Sequence, residues 1–173
     1  MHESRGDLEL LVFSLHGEEF AVNLTDTREI IKTAEMTDVP NAPASVKGIL
    51  NLRGKVVTVV DLAELLGFAT DEGVKQHIII AEQGKEIFGV LVNNVVGVLR
   101  TSSAHLKHTP DFLENKVPSA WVKGAIVLSA GKNTGVETQP DEPSASVTVE
   151  ASSHDRLILF LDLSSILSAV IGR

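Results

Sequence analysis

Val39 to Leu66 reads VPNAPASVKGILNLRGKVVTVVDLAELL. Pro40 and Pro43 disfavour helix at and just before them. Two apolar runs follow, Val46 to Leu52 and Val56 to Val60. Arg53-Gly54-Lys55 lies between them, and Gly54 takes a positive φ at little steric cost. The second run, Val56-Val57-Thr58-Val59-Val60, is wholly β-branched, which favours strand. The stretch therefore predicts a β-hairpin. Asp61 follows it, and Leu62, Leu65 and Leu66 return at helical spacing. Asp61 suits an N-cap, with Glu64 three residues on as its capping-box partner.

The same pattern occurs again near the C-terminus. Val122-Lys123-Gly124 repeats Val46-Lys47-Gly48, and Asp162-Leu163-Ser164-Ser165-Ile166-Leu167 repeats Asp61-Leu62-Ala63-Glu64-Leu65-Leu66. A third correspondence precedes each copy. Phe13 to Phe20 and Ile79 to Ile87 both read as strand, glycine turn, strand. Hairpin, Val-Lys-Gly strand, strand ending in aspartate and short helix thus recur in order, the mark of a duplicated β architecture.

The chain has 173 residues, enough for one compact domain or two small ones sharing a core, and 43% of them are hydrophobic. Its net charge of −8 counts against nucleic acid and anionic membrane surfaces as partners. Cysteine is absent, which excludes a disulfide framework and thiolate metal sites. No apolar run approaches the roughly 20 residues of a membrane helix, so no direct membrane insertion is expected. Met1 to Asp7 lacks a signal-peptide pattern, and a soluble cytoplasmic protein is the expectation. With no tyrosine and one tryptophan, Trp121, a pocket rich in aromatics is not expected.

Leu8 to Leu15 is apolar on both alternating faces, the pattern of a strand buried on two sides. Leu24 to Lys32 reads as a helical turn running into a strand, and pattern alone leaves this open. Gly67 to Lys75 is loop-like and marks the boundary between halves, 8–70 and 76–170. Ile87 to Leu99 is one long strand or a broken pair, since Asn93-Asn94 and Gly97 interrupt it. Arg100 to Pro118 is polar. Leu163, Ile166, Leu167 and Val170 form the apolar face of a C-terminal helix. The copies differ in one respect: Gly124 to Asp162 is 25 residues longer than Gly48 to Asp61. The surplus lies in 130–155, rich in Ser, Thr, Pro, Gly and acids, and reads as a long mobile surface loop within the second hairpin.

The chain shows no catalytic constellation. His105 and His108 have a metal-ligand spacing on a helix but no evident third ligand. Ser153-His154-Asp155 spells triad letters, yet a triad is a spatial geometry rather than three neighbours. Gly131 to Gly135 lacks the spacing of a phosphate loop. Asp61 and Asp162 could be paired carboxylates, but each has a sufficient role as a cap. What remains is a surface. Arg53 at the hairpin tip is either a solvated or self-paired turn arginine or one that recognises carboxylates. Arg28-Glu29-Ile30 is either a solvated face or a contact patch.

Leu11 to Phe20 with Gly17, Arg28-Glu29-Ile30, Val39-Pro40-Asn41-Ala42-Pro43, Val46-Lys47-Gly48 with Asn51-Leu52-Arg53-Gly54, and Val59-Val60-Asp61-Leu62 together resemble the CheW family of chemotaxis coupling proteins. The likeness spans Leu8 to Leu167. It implies a mainly β fold of two pseudo-symmetric, five-stranded SH3-like barrels with short helices. It implies no enzymatic activity, cofactor, metal or catalytic residue. The implied partners are the regulatory domain of a CheA-type histidine kinase and the signalling tip of methyl-accepting chemotaxis receptors. Thr27, Glu29, Ile30, Gly48, Arg53, Gly89, Val95 and Val98 match positions of receptor or kinase coupling, with Gly48 and Gly89 acting through backbone geometry. The chain departs from the family at Asn93, where aspartate is usual, at Thr58, where proline is usual, and in the 130–155 loop. Coupling in another chemosensory pathway, such as type IV pilus motility or gene regulation, is the nearest alternative. A small β-barrel hydrolase using His105 or His108 with an acid is the alternative of a different class.

Overall fold

The computed structural model describes residues 6–68, 76–109, 117–128, 136–137 and 155–171. The strands are β1 (Asp7–Leu15), β2 (Glu18–Asn23), β3 (Thr27–Lys32), β4 (Val46–Leu52) and β5 (Lys55–Asp61), followed by the short helix α1 (Leu62–Leu65). After these come β6 (His77–Gln83), β7 (Glu86–Val92), β8 (Asn94–Ser102), β9 (Leu106–Lys107), β10 (Val122–Leu128), β11 (Val136–Glu137), β12 (Arg156–Leu161) and helix α2 (Leu163–Ile171). Single 3-10 turns precede β3 and β9, at Leu24–Asp26 and Ser103–His105. The turn and the strand expected over 24–32 thus both occur. The 87–99 segment is a broken pair, parted at Asn93. Of 130–155, read as a mobile loop, only β11 and Asp155 are among the described residues.

The fold is mainly β. Five strands form one sheet in the order β3-β6-β7-β5-β4, and seven form the other in the order β11-β8-β1-β2-β12-β10-β9. The repeat is plain in the registers. β5 pairs with β7 in parallel, as β12 pairs with β2. The β4·β5 ladder shifts register between Val46 and Gly48, and the β10·β12 ladder between Val122 and Gly124. Asp61 N–H donates to Ser45 O at 2.7 Å, and Asp162 N–H to Trp121 O at 2.7 Å.

The sheets do not follow the sequence halves 8–70 and 76–170. Hairpin β1–β2 of the first half joins β8, β10 and β12, while hairpin β6–β7 of the second half joins β3, β4 and β5. Each half gives its hairpin to the other. Side-chain patterning explains why this is stable. Leu11, Phe13 and Leu15 of β1, with Ile79 and Ala81 of β6, enter a core shared by both sheets. Leu10 and Val12 face a second core inside the seven-stranded sheet, and Ile78 and Ile80 face a third inside the five-stranded one. Strand segments covered on both faces need consecutive apolar residues, which is what Leu10 to Phe13 of β1 and Ile78 to Ala81 of β6 carry.

Both aspartates cap as the sequence predicts: Asp61 Oδ1 accepts from Glu64 N–H at 3.3 Å, and Asp162 Oδ1 from Ser165 N–H at 3.2 Å. The capping box is half made, because the Asp61 N–H goes to Ser45 O rather than to the Glu64 carboxylate. Asp61 is buried. Asp61→Ala is expected to lower stability by about 1 kcal/mol, and Asn at the same site to restore most of it. Urea melts of the three proteins check this; equal midpoints would remove the capping role.

Candidate functional site

The β4–β5 turn has two residues, Arg53 and Gly54, with φ of 49° and 84°. Both central residues at positive φ define a type I′ hairpin, whose twist matches the flanking strands. Asn51 Oδ1 accepts the Gly54 N–H at 2.9 Å and holds the turn closed. The left-handed conformation disfavours a residue with a Cβ by roughly 1–2 kcal/mol. Arg53 therefore holds its place against local preference, and its side chain is 79% exposed.

Glu29 lies on β3, at the opposite edge of the five-stranded sheet from β4. The sheet curls enough to bring them together: Thr37, just beyond β3, makes both backbone hydrogen bonds with Ile49 of β4, at 2.8 and 2.9 Å. Arg53 Nη2 then donates to Glu29 Oε2 at 2.9 Å. Beside this pair, Arg28 Nε forms an ion pair with Glu82 Oε2 at 3.1 Å. Arg28 occupies the bulge where the β3·β6 register shifts, between Thr27 and Glu29. A groove of about 350 Å³ opens here, with Leu52, Val57, Ile80 and Ile87 as apolar lining and Arg28, Glu29, Arg53 and Lys55 as charged lining. An apolar floor under fixed guanidinium groups suits a protein surface that offers an apolar side chain beside a carboxylate.

The other expected site residues divide into two groups. Thr27 Oγ1 donates to Leu24 O at 2.8 Å and starts β3. Thr27 and Ile30 of β3 correspond through the repeat to Val95 and Val98 of β8: each strand bulges one residue after the first and then resumes pairing. Ile30 and Val95 are half-buried against the shared core, and Val98 is buried in it. Gly48 and Gly89 present no surface. A Cβ at Gly48 would stand 2.8 Å from Thr37 O, and one at Gly89 2.9 Å from Ile78 Cγ2. Glu29 and Arg53 are thus the two that touch; Gly48 and Gly89 support the sheet beneath them.

His105 Nδ1 lies 3.2 Å from Thr101 Oγ1, and no group of three or more His, Asp or Glu gathers in a metal-binding cluster among the described residues. Among them, no helix is long and apolar enough to cross a membrane. Sequence reasoning missed the Arg28–Glu82 pair and the groove floor. The signal that could have found them is the alternation around Arg28, which breaks where the bulge falls. It also missed a half-buried pair in the other sheet: Arg156 donates through Nε to Glu19 Oε2 at 2.9 Å and through Nη2 to Oε1.

The Arg53–Glu29 pair and its groove thus stand at one hairpin tip of a duplicated pair of β-sheets. A family model, the CheW-like domain, matches residues 9–170. The chain belongs to the CheW-like family, whose members are non-enzymatic scaffold proteins. It is 33% identical over 144 residues to the chemotaxis protein CheW of Rhizobium meliloti, covering 83% of this chain and 92% of that one. It is 26% identical over 87 residues to PilI of Pseudomonas aeruginosa, about half of each chain. The crystal structure of the scaffolding protein TtCheW from Thermoanaerobacter tengcongensis shares the fold, with a TM-score of 0.72, 24% identity and 97% of each chain covered.

Proposed function

We propose that this chain is a cytoplasmic adaptor that couples methyl-accepting chemoreceptors to the regulatory domain of a CheA-type histidine kinase. The observation that carries the reading is the Arg53–Glu29 pair at the groove. Arg53 is held at an unfavourable backbone angle, mostly exposed, with one of its five N–H donors on Glu29 and others turned to solvent. Such a residue serves contact better than stability, since an exposed ion pair contributes about 0–1 kcal/mol to folding. Family membership supports the partner classes, and the half-buried Thr27 and Ile30 of β3 and Val95 of β8 are further contact candidates, one set on each sheet. The chain itself carries no chemistry in this reading. It transmits a coupling free energy between receptor and kinase.

The test separates contact from folding. Arg53→Asn keeps an Asn-Gly type I′ turn, the preferred chemistry there, while removing the guanidinium. Its thermal midpoint is expected to equal or exceed that of the parent. Titration against a receptor signalling tip is expected to show at least tenfold weaker binding, and Arg53→Lys is expected not to restore it. Undiminished receptor binding by Arg53→Asn would overturn the role of Arg53.

The likeness to PilI favours a second reading: coupling in another chemosensory pathway, such as one governing type IV pilus motility. Titration against the kinase regulatory domains of each chemosensory system in the same cell decides between them.

A further inference from the structure

The two sheets follow one plan and differ at one edge. β3 and β8 are equivalent strands, so Ile30-Ile31-Lys32 corresponds to Val98-Leu99-Arg100. The outer edge of β3 carries no strand among the described residues. The outer edge of β8 carries β11, antiparallel, with Val136 opposite Leu99 and Glu137 opposite Val98. β11 comes from the surplus segment that the first half lacks. A strand laid on an open edge takes up the backbone groups that would otherwise pair with another chain. This edge belongs to the strand that carries Val95 and Val98. Among the described residues its ladder is two residue pairs long.

We propose that β11 is a built-in occupant of the β8 edge, which a receptor must displace before it engages Val95 and the backbone edge at Val98 and Leu99. The inference rests on the coupling reading, which puts receptor contact on β8. The β3 side, with Glu29 and Arg53, carries no such strand among the described residues. The chain would therefore present one edge and hold the other in reserve.

Two variants test this in the full chain. In one, residues 130–154 are replaced by an Asn-Gly turn. In the other, Val136→Pro and Glu137→Pro together remove the backbone donors of β11 while keeping the length. Hydrogen exchange at residues 98–100 is expected to quicken in both. Affinity for an isolated receptor signalling tip is expected to rise at least threefold, with kinase regulatory-domain affinity unchanged. Unchanged exchange, or receptor affinity that stays level or falls, would overturn the occupancy. If all three proteins bind the tip equally, only this inference fails. If none binds it, the coupling reading fails and this inference with it.

Discussion

Gly89→Val is expected to destabilise the protein by about 3 kcal/mol or more, the upper range for forcing methylenes into a packed core. Gly89 lies mid-sheet on β7, paired with Val59 on one side and Ile80 on the other. A Cβ there would already stand 2.9 Å from Ile78 Cγ2 and 3.0 Å from Val59 Cγ2, before any γ-methyl is added. Those neighbours cannot give way easily. Both are fully buried, and both are β-branched, with few χ1 choices. Gly89→Ala adds the Cβ alone and is expected to fall between parent and valine. Urea denaturation of the three proteins gives the ranking. Valine tolerated as well as glycine would mean that the sheet can spread, and the packing explanation of this position would be lost. The same series measures coupling: if receptor binding weakens only in step with folding, Gly89 acts through the sheet that carries Arg53, not through contact.

Phe13→Ala is expected to cost about 3–5 kcal/mol, the range for removing a fully buried aromatic side chain. Phe13 has no exposed surface, and its ring lies 6.1 Å from that of Phe20, stacked at 22°. It sits in the core shared by both sheets. At roughly 2–4 °C per kcal/mol for a chain of this size, the midpoint falls by about 6–20 °C. The location adds a sharper expectation. Both sheets rest on this core and each contains the other half's hairpin, so loss of Phe13 weakens both at once. Trp121 also packs on the shared core and reports on it by fluorescence. Its transition and the far-UV circular dichroism transition are expected to shift together. Two separated transitions would show that the sheets unfold independently and that the shared core does not bind them into one unit.

What the sequence disclosed was what local chemistry determines. The hairpin over 46–61 follows from β-branched runs about a turn, and the caps at Asp61 and Asp162 from side chains acting three residues away. The repeat showed because both copies keep the same bulge and the same aspartate. The two-sided burial of β1 showed because Leu10, Leu11, Val12 and Phe13 leave no polar face. The exchange of hairpins did not show. Whether β1–β2 pairs with β4–β5 or with β10–β12 is decided by packing across the whole chain, and either arrangement uses the same apolar pattern. The turn at Arg53 was half legible: Gly54 announced a positive φ, but the positive φ of Arg53 itself follows from the hairpin twist. The nearness of Arg53 to Glu29 depends on the curl of the sheet, which the Thr37–Ile49 pairing closes, and no local pattern encodes that distance. The resemblance to a known family supplied both residues as a pair of positions; the hydrogen bond between them is what the fold adds.

The exchanged hairpins set a constraint on how the protein is made. β1–β2 leaves the ribosome early, yet β12, the strand it lies beside, comes late: Arg156, which clasps Glu19, is 137 residues further on. At a synthesis rate of roughly 5–20 residues per second, the hairpin waits for roughly 7–27 s. The five-stranded sheet has all its strands once Val92 is made, but Leu10 to Phe13 lie in a seven-stranded sheet that stays incomplete throughout that interval. A nascent chain of this design is exposed to aggregation for nearly the whole of its synthesis. A message truncated before β12 would release a product with β2 left uncovered on that side, which holding chaperones and proteases would meet before any signalling partner did.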